Sequence, residues 1–346
     1  MDKNKIEQVL VIRLSAMGDV AMTVPVLVAL TQEYPNLKIT FLTKAFYKPI
    51  VSGIPNVNVV IADTKGKHKG ILGLWRLFGQ LKELEFDAVA DLHNVLRSNI
   101  LKIFFLTQGI PFKQMNKGRS EKKKLTSGKS KEIKPLKPMH ERYVEVFKSL
   151  GFVFSLNEKH TLPKLDLSKG IKEKWLIGNH KTIGIAPFAA FQGKVYPHHL
   201  MEKLLTYLND LNHTQILLFG GGKKETEILE QWESKFNNCI SAAGKLTFPE
   251  ELRVISNLHV MVSMDSGNGH LAAMFGIPVI TLWGVTHPYA GFTPFGQNYV
   301  NQILSDREKF PLIPTSVYGN KFPAGYNKVM ETISPQKVYD KIKDIL

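Results

Sequence analysis

Asp265, Ser266 and Gly267 close a strand-like run and open a helix-like one, which aims a carboxylate, a hydroxyl and unpaired backbone N–H groups at one point. They belong to Ser263 to Gly296, SMDSGNGHLAAMFGIPVITLWGVTHPYAGFTPFG. His259 to Ser263 reads as a strand end, Met264 to Gly267 as a tight polar turn, Asn268 to Phe275 as a short helix and Val279 to Trp283 as a second strand. Gly276 can take the left-handed conformation that ends a helix, and Pro278 prevents its continuation. Such a helix start is suited to an anion, and in open α/β sheets ligands bind beyond the strand ends. Asp and Ser also cap helices with no ligand present. The Gly284, Thr286, Pro288, Gly291, Pro294 and Gly296 loop, which needs unusual backbone angles beside the turn, favours the ligand.

Three further constellations have similar potential. In RLSAMGDVAMTVPVL (Arg13 to Leu27) a strand ends at Leu14, Ser15 to Asp19 turns into a helix, and Gly18 permits a close backbone approach. Asp19 is there either an N-terminal cap or a general base at the mouth of a cleft. The spaced glycines of a dinucleotide fingerprint are missing. In APFAAFQGKVYPHHL (Ala186 to Leu200), Lys194 follows a strand and a flexible turn, where an ammonium can neutralise a phosphate. In LFGGGKKETEI (Leu217 to Ile228), three glycines follow a strand. Glu225 is placed either to accept from ribose hydroxyls or simply to complement a helix N-terminus. No HExxH, paired-cysteine or GxSxG pattern occurs, so neither a metal nor a serine nucleophile is expected.

The elements that must position these residues alternate. Val9 to Leu14, Leu37 to Leu42, Val57 to Ile61 and Asp87 to Asp91 read as strands, with helices over Asp19 to Glu33 and Ile71 to Leu84. Residues 113 to 137 read as a basic loop, followed by a helix over Met139 to Leu150 and a linker over about 152–179. The rhythm restarts with strands at Thr182 to Pro187 and Gln215 to Gly220 and helices at His198 to Leu211, Lys223 to Lys235 and Pro249 to Asn257. The expected division is an N-terminal domain 1–179, a C-terminal domain 180–334 and a last helix 335–346 returning to the first domain. Two Rossmann-like α/β domains with parallel sheets facing a central cleft is the fold expectation.

Composition sets bounds. A chain of 346 residues fits two domains, and a single cysteine fits a reducing cytosol. No apolar run approaches a membrane span, and the first residues lack the pattern of a signal peptide. The formal charge of +15 favours an anionic substrate, membrane surface or nucleic acid.

RLSAMGDVAMTVPVL, the Lys194 and Tyr196-Pro197 segment, GGGKKE, AGKLTFPEELRVISN and MDSGNGHLAAMFGIPVITLWG together resemble glycosyltransferase family 9, the lipopolysaccharide heptosyltransferases and their relatives. DLHNVLRS (Asp91 to Ser98) and HERY (His140 to Tyr143) resemble its acceptor-side segments. The resemblance implies a GT-B fold and an inverting transfer that needs no metal or other cofactor. Asp19 corresponds to the family's base. Lys194, Ser266, Gly267 and His270 fall on the donor side with Asp265 at the sugar, Glu225 near the ribose and Leu246 near the adenine. Ser15, Gly18, Arg97, Arg142 and the lysines Lys122, Lys123 and Lys124 are expected on the acceptor side.

The implied donor is ADP-heptose, the acceptor an anionic glycolipid of the lipopolysaccharide core or lipid A type, and the location cytoplasmic, peripheral on the inner membrane. Where many members carry hydroxyl residues this chain has Ala189-Ala190, which removes two side-chain donors worth roughly 1–3 kcal/mol each if charge-assisted. His93-Asn94 is a second departure, on the acceptor side. A nucleotide-sugar 2-epimerase would share the architecture but needs no acceptor. A non-enzymatic polyanion-binding protein explains the charge but not the DSGNGH turn, and no basic helix carries the base-reading residues of a nucleic-acid module.

Overall fold

The computed structural model describes residues 6–128, 133–176 and 178–346. Lys129, Lys131 and Glu132 of the expected basic loop lie outside them. The chain forms two compact units, one of residues 1–117 and 139–162, the other of 118–138 and 163–346.

The first unit carries strands β1 (Gln8–Ile12), β2 (Lys38–Thr43), β3 (Val57–Ile61), β4 (Ala88–Asp91) and β5 (Phe112–Gln114) in one sheet of order β3-β2-β1-β4-β5. Every pairing is parallel. Residues 9–12 are wholly buried, as the VLVI run requires of a central strand covered on both faces. Helices Gly70–Lys82 and Leu96–Leu106 put Leu74, Leu77, Phe78, Leu81, Leu101 and Phe105 into one core with Leu10, Ile12 and Val89 of the sheet. The single helix expected over Asp19 to Glu33 is two, Met17–Ala21 and Val24–Glu33. Pro25 sits in the first turn of the second, where its missing N–H costs nothing.

The second unit carries β6 (Lys181–Ala186), β7 (Thr214–Leu218), β8 (Cys239–Ser241), β9 (Val260–Met264), β10 (Val279–Trp283) and β11 (Gln302–Leu304), all parallel, in the order β11-β10-β9-β6-β7-β8. Both sheets reverse their strand order beside the first strand of the unit, between β1 and β4 and between β6 and β9. Such a reversal opens a crevice beyond the carboxyl ends of the two strands, where open α/β sheets take their ligands.

The units differ from the expected domains in three places. Residues 118–138 group with the second unit, because Leu136 N–H donates to the Tyr289 carbonyl and the Lys122 ammonium lies 4.5 Å from the Phe292 ring centroid. The expected linker is structured from Pro163 onward: Leu165 N–H donates to Ser256 Oγ, Arg253 donates to the Asp166 carbonyl, and helix Lys169–Trp175 buries Trp175. The last helix, Pro335–Ile345, groups with the second unit. Val338 and Ile342 are fully buried in the core of the second, and Tyr339 meets Tyr207 edge-on at 5.8 Å. Ile342→Ala is therefore expected to cost about 2–5 kcal/mol in urea unfolding, with the loss falling on the unit that holds the nucleotide-type turns.

Candidate functional site

In the first unit the crevice between β1 and β4 is built from the turn after each strand. Arg13, just past β1, is only 5% exposed and must find an anion. It finds Asp19: Arg13 Nη2 lies 2.7 Å from Asp19 Oδ2, while Nη1 donates to the Leu92 carbonyl at 2.6 Å. Burial pulls the Arg13 pKa down, but nearby Tyr143, Asp19 and Asp91 outweigh it and the net shift is upward. Ala16 N–H also donates to Asp19 Oδ2, at 3.2 Å. Both bonds use one oxygen, and among the described residues none reaches Oδ1. Asp19 is thus oriented by a fixed cation and keeps an oxygen for another proton.

His93 follows β4. Leu14 N–H donates to its Nδ1 at 3.4 Å, which leaves the proton on Nε2, 3.5 Å from Ser15 Oγ. Burial, with Arg13 and Lys117 adding to it, pulls the His93 pKa down to about 3, so the ring is neutral near pH 7. Asp91 holds this turn by accepting from the N–H groups of His93 and Asn94. Tyr143, fully buried, directs its hydroxyl to the Asp19 carbonyl at 3.5 Å, and burial raises its pKa. Burial also raises the Tyr47 pKa, as does the Asp19 charge, so Tyr47 stands within its field.

In the second unit the crevice between β6 and β9 brings Lys194 and Asp265 together. Their charged atoms are 3.4 Å apart and the side chains are only 12% and 10% exposed. Close backbone approach fixes the lysine. Val285 N–H donates to the Gly193 carbonyl, and a Cβ on Gly284 would fall 2.2 Å from that oxygen. A Cβ on Gly319, at φ +79, would strike the Lys194 side chain at Cγ. Tyr196, fully buried, donates to the Ile333 carbonyl at 2.7 Å and anchors the following residues. Ser266 is the N-cap of helix Gly267–Ala273, and its Oγ is buried with no hydrogen-bond partner among the described residues. His270 is buried in the same helix.

Glu225 is engaged locally, accepting from Gly221 N–H at 2.8 Å, which is the helix-start role its position allows. Leu246 is half-buried just before Thr247, whose capping box with Glu250 starts helix Phe248–Ile255.

The expected acceptor residues are divided between the two units. Ser15, Gly18 and Asp19 share one turn. Arg97 is exposed on helix Leu96–Leu106, and Arg142 is buried, donating to the Asn116 carbonyl at 3.3 Å. Lys122, Lys123 and Lys124 lie on helix Arg119–Leu125 of the other unit, not in a loop of Arg142's domain. Lys122 is buried against Phe292, so it is no free surface charge. Sequence reasoning does not find Arg13, Tyr47, Gly193 or Gly319, and it finds Gly284 only as a residue of unusual backbone angles. An arginine at the end of a buried strand was the one signal present.

Two Rossmann-like units, each with a parallel sheet, are the architecture of the GT-B fold. The chain belongs to glycosyltransferase family 9 (heptosyltransferase), whose model matches residues 74–315. It is 28% identical to lipooligosaccharide heptosyltransferase 2 of Haemophilus influenzae, over 98% of this chain and 99% of that one. It is 27% identical to lipopolysaccharide heptosyltransferase 2 of Escherichia coli, over 98% of each. Among solved structures, the fold is similar to a family 9 glycosyl transferase of Veillonella parvula, with TM-score 0.73 and 19% identity over 98% of this chain and 97% of that one. E. coli heptosyltransferase WaaC with ADP gives TM-score 0.70 and 20% identity over 98% and 100%.

Two measurements check this geometry. Gly284→Ala should displace the Lys194 turn and lower stability by about 1–3 kcal/mol in urea unfolding. His93 has a lowered folded pKa, so between about pH 3 and its ordinary value of 6.5 the unfolded chain binds the extra proton. Its contribution is then complete above pH 6.5 and lost as the pH falls. His93→Gln should flatten the stability profile there by up to about 1.4 kcal/mol per pH unit in urea titrations.

Proposed function

We propose that the enzyme transfers heptose from ADP-heptose to a sugar hydroxyl of a lipopolysaccharide core or lipid A-type acceptor, with inversion and without a metal ion, on the cytoplasmic face of the inner membrane. The observation that carries this reading is the Lys194–Asp265 pair beside the orphaned Ser266 hydroxyl. A buried ammonium, an unsatisfied hydroxyl and the first N–H groups of a helix form a receptor for a diphosphate, and the carboxylate one residue earlier suits sugar hydroxyls. The relatives are named for heptose transfer and one solved neighbour for its ADP, which supports this donor.

Asp19 is the base. Its Oδ1 takes the acceptor proton as the oxygen attacks the anomeric carbon from the face opposite the diphosphate, and the C–O bond to the diphosphate breaks with the electron pair leaving on oxygen. Arg13 orients Asp19, and neutral His93 donates through Ser15 to the acceptor side without adding charge. Lys194 and the helix N–H groups receive the charge that develops on the diphosphate. Ser15 and Gly18 shape the acceptor turn, His270 lines the donor turn, Glu225 meets the ribose and Leu246 the adenine. With Ala189-Ala190 lacking hydroxyls, Ser266 carries more of the phosphate contact than in relatives with side-chain donors there.

Asp19→Asn should lower kcat by roughly 10²–10⁴ with donor affinity nearly unchanged. Near-normal turnover of the folded variant would exclude the base role. Lys194→Ala should weaken ADP binding far more than adenosine binding in calorimetry, and equal losses would remove Lys194 from the diphosphate. Activity should survive EDTA, whereas loss restored by Mg²⁺ would contradict leaving-group stabilisation by the protein alone.

A further inference from the structure

Five exposed large apolar side chains gather on two neighbouring helices of the first unit. On helix Gly70–Lys82, Leu72 is 84% exposed, Ile71 66% and Trp75 57%; on helix Leu96–Leu106, Leu96 is 76% exposed and Ile103 62%. The two helices pack side by side, and Trp75 meets Phe104 edge-on at 5.0 Å, so their apolar stripes join. The opposite side of each helix is already committed to the core, which leaves this face without a partner.

Its charges have one sign. GILGLWRLFGQLK and LRSNILKIFFL contain no acidic residue. Arg76 and Arg97 stand among the apolar residues, and exposed Lys65, Lys67 and Lys69 lead into the first helix, the Lys67 carbonyl accepting from Arg76. The nearby Asp63 carboxylate is occupied by the N–H groups of Gly66 and Lys67. Glu83 and Glu85 lie past the far end of the helix, away from Ile71 and Leu72.

Leucine, isoleucine and an exposed tryptophan ringed by cations match a lipid interface: aliphatic side chains enter the acyl boundary, the indole sits at headgroup level and the cations meet anionic headgroups. A second copy of the chain would bring cations against cations, so self-association on this face is opposed. We propose that this face docks the enzyme on an anionic lipid bilayer.

Position gives the contact a use. In a parallel sheet each helix starts at the carboxyl end of the strand before it, so Ile71, Leu72 and Leu96 stand at the same end of the sheet as the Asp19 turn. Leu96 is three residues from His93, which faces Ser15. An acceptor anchored in the bilayer is thereby presented to that end of the unit. This deepens the glycolipid reading above and rests on it only for the identity of the acceptor.

The test separates the two. Of the four tryptophans, Trp175, Trp232 and Trp283 are buried, so a shift in emission on adding vesicles reports Trp75. Vesicles of phosphatidylethanolamine with phosphatidylglycerol should bind the protein in flotation and shift its emission to the blue, and pure phosphatidylcholine vesicles should do so much less. Ile71→Gln/Leu72→Gln/Ile103→Gln, at exposed positions, should lower partition at least about tenfold. Lys65, Lys67 and Lys69 changed to Gln should lower it and flatten its salt dependence. All variants should keep wild-type turnover on a short, lipid-free acceptor. The proposal is overturned by an unshifted Trp75 emission, by equal binding to neutral vesicles, by loss of binding only when Lys123 and Lys124 are changed, or by a dimer that the triple variant dissolves. None of these readouts needs turnover, so an enzyme with another donor or acceptor leaves them intact.

Discussion

A buried charge must be matched, and two places where this chain pairs buried charges lie beside its sheet reversals, the places where we propose its chemistry. Arg13, just past a buried central strand of the first unit, draws Asp19 back onto the turn. Lys194 and Asp265 do the same in the second, from the ends of two neighbouring strands. Each pair costs desolvation that its own attraction hardly recovers, so stability alone is a weak reason to keep it. A ligand that supplies or accepts charge at these points is a better one. Lys194 can turn from Asp265 to a phosphate, and Asp265 to a sugar hydroxyl, with both groups still satisfied.

Holding Lys194 requires backbone to approach backbone. Gly193, Gly284 and Gly319 each stand where a side chain would collide, with Val285, with the Gly193 carbonyl and with Lys194 itself. The loop that follows β10 is thus not only a rim of turns. It is the wall against which the Lys194 turn is pressed, and its glycines follow from contact distances as much as from backbone angles.

The alternating strands and helices were legible because parallel βαβ units write a strong period, and the turn at Asp265 to Gly267 because strand, cap residues and helix follow one another without a gap. Partnerships across the sheet were not legible. That Arg13 meets Asp19, or that His93 sits beside Ser15 after a separation of 78 residues, depends on which strands become neighbours, and spacing along one chain does not encode that. The break between Ala21 and Val24 was missed because the apolar run hides a proline that merely starts a new helix. The apolar face of the last helix shows in sequence that it packs, not where, so its partners in the second core were not legible.

Net charge taught the opposite lesson. The run of lysines from 113 to 137 reads as one loop, yet its described lysines stand in different local settings. Lys122 is buried under an aromatic ring, Lys123 and Lys124 point outward from a short helix, and Lys113 is exposed on β5 of the other unit. A smaller set, Lys65, Lys67, Lys69 and Arg76, draws less notice in sequence but surrounds apolar side chains that nothing covers. A cation attracts an anionic surface from any exposed position, but only one beside exposed aliphatic groups can hold the protein there once salt has screened the long-range field. The charge that matters is therefore set by its apolar neighbours, and only the fold supplies those.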